Sequence, residues 1–92
     1  MCTYETVCIC VEGSGKGPQN WLRVTRATVY FDHPVHAMAD HTLNIDLSDP
    51  AHGPAARIAL ELTAESARAL VAAIQAALDA VPPELTQSPI RA

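Results

Sequence analysis

From Thr3 to Glu12 the chain is rich in β-branched and aromatic residues. Val7, Ile9 and Val11 alternate there with Cys8 and Cys10, which predicts a strand fairly apolar on both faces. Turn formers fill Gly13-Ser14-Gly15-Lys16-Gly17-Pro18-Gln19-Asn20, and β character resumes from Trp21 to Phe31, so the pair is expected to be a hairpin with a long loop. In the second segment Leu22 and Val24 share one face, whereas Ala27, Val29, Phe31 and His33 share the other. That change of phase near Thr25-Arg26 predicts a bulge or bend. His41 to Leu47 alternates strictly between apolar and polar, the pattern of a strand with one wet and one dry face. Ser48 to Pro54 reads as a turn. Ala56 to Leu62 then repeats the alternation, with Ile58, Leu60 and Leu62 inward and Arg57 and Glu61 outward.

The period then changes from two to about 3.6. Thr63 reads as an N-cap with Glu65 in the first turn, and Ala67, Leu70, Val71, Ile74, Ala77, Leu78 and Val81 recur on one side of a helix that Pro82-Pro83 ends. Glu65, Arg68, Gln75 and Asp79 fall on its polar side. A dry helical stripe needs a dry sheet face, so the predicted class is α+β, a four-stranded antiparallel meander with one C-terminal helix packed on one face. Residues 1–82 make a single domain on this reading, and residues 83–92, which have no period, a flexible tail.

Composition narrows the function classes. At 92 residues the chain has room for one domain, and a domain of this size hides little surface, so a metal or a partner subunit is expected to contribute to its stability. The net charge is −4, and the six Lys and Arg residues are scattered, which argues against nucleic acid as a partner. No apolar run suits a signal sequence or a membrane span, and the protein is read as cytoplasmic. Cys2, Cys8 and Cys10 form an odd set within nine positions, for which reduced thiols are the default.

Three of the four histidines crowd into Asp32-His33-Pro34-Val35-His36-Ala37-Met38-Ala39-Asp40-His41. His33 continues the face of Val29 and Phe31, and His41 begins the face of Leu43 and Ile45, so their rings are expected to meet across the mouth of a hairpin, with His36 folding over them from the loop. Three imidazoles are the protein ligands of a catalytic-type zinc site, with iron and copper as less suitable ions. Asp32 and Asp40 flank the set and are candidates to orient the ligands from a second shell. Cys2 is the natural fourth ligand, because removal of Met1 would leave its thiolate beside an α-amine. If the fourth position instead held water, the metal could serve small metal-dependent enzyme chemistry on a metabolite, although no catalytic residue can be named. The rival, from another class, is a metal-free dimeric interaction module. Either way a homodimer or higher assembly is expected, because one helix covers one sheet face and the other carries Cys8 and Cys10.

The loop around Lys16 lacks the GxxxxGK[ST]-to-helix arrangement of a phosphate-binding loop and is read as a hairpin loop. The strings MCTYETVCICVEGSGKG and ATVYFDHPVHAMADHTLNIDLSDPAHGPAARIALELTAESARALVAAI resemble a family of short, uncharacterised actinobacterial proteins. An MCTY start, a GSGKG loop and a DHPxHAxxxHTLNID segment mark that family, and the similarity covers about residues 1–80. Cys2, His33, His36 and His41 stand out in the family pattern, and the acidic position before the third histidine is Asp40 here. The resemblance implies no particular activity.

Overall fold

Strict alternation of apolar and polar residues dries one face of a sheet, and all four strands contribute to it. The structure, a computed structural model of the chain, describes residues 4–87. Strand β1 (Thr6–Lys16) pairs with β2 (Trp21–Asp32), β2 with β3 (Thr42–Ser48), and β3 with β4 (Arg57–Leu62), all antiparallel and in chain order. Helix α1 (Ala64–Asp79) follows directly and lies against one face, so the α+β meander with a single C-terminal helix is the observed fold. Pro50–His52 forms a short 3-10 turn between β3 and β4, and Pro83–Gln87 forms another after α1, where the tail was expected to begin. Residues 88–92 lie outside the described residues.

The register sets which side chains share a face. Val7, Val29, Ile45 and Leu60 line up across the four strands, as do Ile9, Ala27, Leu47 and Ile58, and Phe31, Leu43 and Leu62 extend the same apolar face. Cys8, Thr28, Asp46 and Ala59 form a row on the other side, beside the row of Thr6, Tyr30, Asn44 and Glu61. That second face is therefore mainly polar, and Cys8 and Cys10 are exposed free thiols on it.

Strand β1 runs four residues beyond the expected Glu12, through Gly13-Ser14-Gly15-Lys16, and the turn shrinks to Gly17–Asn20, closed by the Gly17 N–H donating to the Asn20 carbonyl at 2.9 Å. The cause is tertiary. A Cβ on Gly15 would sit 2.5 Å from Ile58 Cδ1 and 3.4 Å from Val24 Cγ2, so this glycine serves a close approach of β1 to β4 as the sheet curls. The register shifts between Cys10 and Gly13, where two β1 residues face Thr25 of β2; this is the irregularity that the phase change in β2 predicts. Val24 and Ala27, 5% and 6% exposed, form the buried apolar core at this curled end.

At the other end α1 is held by its N-cap, with the Ser66 N–H donating to Thr63 Oγ1 at 3.1 Å, and meets β3 and β4. Contact is partial. Val71, Ile74 and Leu78 remain 68%, 53% and 52% exposed, and a cleft of about 560 Å³ separates the helix from Val29, Phe31 and Ile45. Among the described residues no helix is long and apolar enough to cross a membrane.

Candidate functional site

The nine-residue connection from β2 to β3 carries the histidines, and long-range contacts decide where each one goes. His33 and His41 follow the apolar-face parity of their strands and meet across the hairpin mouth with ring centroids 4.5 Å apart. Phe31 stacks on His41 at 5.8 Å with planes 9° apart, and Tyr4 leans on Phe31 at 6.3 Å. An aromatic row thus runs from the N-terminal segment to the histidine pair.

The ring nitrogens of the pair are differently employed. His33 Nδ1 lies 2.9 Å from the Asp40 carbonyl oxygen, which can only accept, so Nδ1 carries the proton and the lone pair of the neutral ring is on Nε2. A ring N–H donated to a backbone carbonyl is a usual support for an imidazole that ligates through its other nitrogen. His41 Nε2 is buried with no hydrogen-bond partner among the described residues, and a buried polar atom left so costs roughly 1–3 kcal/mol. Both aspartates act near His33. Asp32 Oδ1 accepts the His33 backbone N–H at 2.7 Å, and Asp40 contributes its carbonyl.

His36 is held elsewhere. The loop turns back over the polar face, where the Glu61 carboxylate accepts three successive backbone N–H groups, from Val35 at 2.5 Å, His36 at 2.9 Å and Ala37 at 2.8 Å. These three bonds hold the Glu61 carboxyl below its ordinary carboxylate range, helped by the His36 side chain. Near the same end Thr42 is fully buried and donates to Asn44 Oδ1 at 2.6 Å. The structure therefore joins two of the three predicted histidines and sets the backbone of the third on Glu61. Among the described residues no three His, Cys, Asp or Glu side chains are grouped closely enough to hold one ion. Cys2, the remaining predicted donor, lies outside the described residues.

Sequence reasoning missed Glu61 as the anchor of this loop. Its only local signal was a carboxylate on the outward side of a strand, which is ordinary. Two further polar clusters on the sheet are structural. Arg57 Nη2 and Nε donate to Asp46 Oδ1 at 2.9 and 3.2 Å, and the Tyr30 hydroxyl donates to Asp46 Oδ2 at 3.4 Å. Burial first, then the Asp46 charge, raises the Tyr30 phenol above its ordinary value. Asp49, only 4% exposed, takes Thr25 Oγ1 at 3.4 Å and His52 Nδ1 at 2.5 Å, so the fourth histidine is employed in the β3–β4 turn.

A family model described as "Family of unknown function (DUF6295)" matches residues 1–87. No curated protein and no solved structure matches the chain.

Proposed function

We propose, for a chain that belongs to this family of unknown function, that it is a small cytoplasmic metal-binding protein, with zinc as the first choice of ion. The His33–His41 pair is the preformed half of the site. The observation that carries this is the His41 Nε2 atom, buried and without a partner among the described residues, beside a second imidazole whose proton is held on Nδ1. Two imidazoles on one tetrahedral zinc, with Zn–N near 2.0–2.1 Å, have ring centroids about 5 Å apart, close to the separation of this pair. A metal would give the His41 nitrogen the partner it lacks.

Cys2 and His36 complete the proposed donor set. Tyr4 packs on Phe31, which stacks on His41, and Cys2 is two residues before Tyr4, within about 7 Å of extended chain. His36 would join by a movement of the loop off Glu61, which makes it the dispensable member. Elemental analysis of protein purified without a histidine tag tests the proposal. One tightly held metal ion per chain is expected, lost in His33→Ala and His41→Ala and reduced least in His36→Ala. A wild-type chain that carries no metal after metal-replete growth and after zinc addition would refute it.

A further inference from the structure

The surface of this chain is too large for its mass. A compact monomer of 9.8 kDa exposes about 5,200 Å², whereas this one exposes 7348 Å². Counting the eight residues outside the described segment at their full extended-chain area, about 1,250 Å², still leaves an excess on the order of 1,000 Å². The radius of gyration agrees, at 14.8 Å against about 12.3 Å for a compact chain of this length. Doubled, the excess reaches the roughly 2,000 Å² at which obligate homodimer interfaces begin.

The location of the excess is specific. Val7, Ile9 and Leu60 on the apolar sheet face are exposed, as are Val71, Ile74 and Leu78 on α1, and the cleft between the two surfaces is apolar except for Arg68 at its edge. With Val24 and Ala27 as the buried apolar residues among those described, the fold needs this surface covered whenever the chain is present, and the partner always present with it is another copy.

We infer that α1 of one copy enters the cleft of a second copy, the two helices running antiparallel about a two-fold axis. The charges on α1 fit that arrangement. Arg68 and Asp79 lie on the same flank as Val71, and an axis midway between Ala73 and Ile74 sets Arg68 of each copy opposite Asp79 of the other. Attraction of opposite charges favours this antiparallel register over a parallel one, which would set like residues together. The polar face bearing Cys8, Tyr30, Asp46 and Arg57 stays outside the contact. The inference is independent of metal binding and does not need it.

Sizing with light scattering, run with and without zinc, reads the assembly directly. The wild-type chain is expected at twice its monomer mass at micromolar concentration. Ile74→Glu is expected to yield monomer. Arg68→Glu, an exposed change compatible with folding, should weaken the dimer on the order of tenfold through repulsion from Asp79, and adding Asp79→Arg should restore it. A monomeric wild-type chain would leave the cleft to another protein or an apolar ligand and overturns the inference. So does a dimer that ignores the Arg68/Asp79 exchange, even if Ile74→Glu fails to fold.

Discussion

Replacing Glu61 by Ala is expected to release the histidine loop from the sheet. Three consecutive N–H groups, those of Val35, His36 and Ala37, lose their acceptor in one substitution. Amide hydrogen exchange at these three residues should accelerate on the order of tenfold or more, while the β2–β3 ladder away from the mouth keeps its protection. Glu61→Gln should fall in between, because an amide side chain offers one oxygen and turns an NH2 group toward the remaining donors. The pH dependence follows from the lowered carboxyl pKa. In the unfolded chain this carboxylate binds its proton at the ordinary value, so its contribution to stability is fully present above that value, near pH 4.5, and is lost as pH falls through the lower folded one. The difference between wild type and Glu61→Gln should be constant above the ordinary carboxylate range and shrink below it. Unchanged exchange at all three amides in Glu61→Ala would remove Glu61 from its anchoring role.

Zinc is expected to raise the melting temperature of the wild-type chain strongly and that of His41→Phe not at all. Free zinc at a hundred times its dissociation constant stabilises the folded state by about 2.7 kcal/mol. For a domain of this size that corresponds to a rise of roughly 10–20 °C. The metal-free proteins should respond with the opposite sign. Phenylalanine at position 41 keeps the stack on Phe31 and removes the unpartnered Nε2, so the metal-free variant should melt no lower than wild type. A purely structural histidine has no reason to combine an unharmed metal-free fold with a lost response to zinc. Differential scanning calorimetry with and without zinc measures both; an equal zinc response in the two proteins would show that His41 is not a ligand.

Much of the fold was legible because its determinants are local. Strict alternation marks β3 and β4, and the cap at Thr63 with its apolar stripe marks α1, each within a residue or two of the observed bounds. The Gly13–Lys16 segment was not legible. Glycine ordinarily signals a turn, and here the approach of Gly15 to Ile58, more than forty positions away, makes it a strand residue instead. The site divides in the same way. His33 and His41 are the ends of paired strands, so parity alone brings them together. The position of His36 depends on Glu61, twenty-five residues on, and a hydrogen bond from backbone to a distant carboxylate leaves no mark in local pattern. Nor did local pattern show that α1 covers only part of the apolar face, because the width of a helical stripe does not reveal how far the helix stands from the sheet.

Nitrogen-resolved NMR of the imidazole rings during a zinc titration tests the metal site most directly. His33 and His41 are expected to shift together at Nε2, to saturate at one zinc per chain, and to leave the His33 Nδ1 proton on its bond to the Asp40 carbonyl. Rings that do not move, or that move independently with zinc remaining exchangeable, would contradict a shared metal at the hairpin mouth.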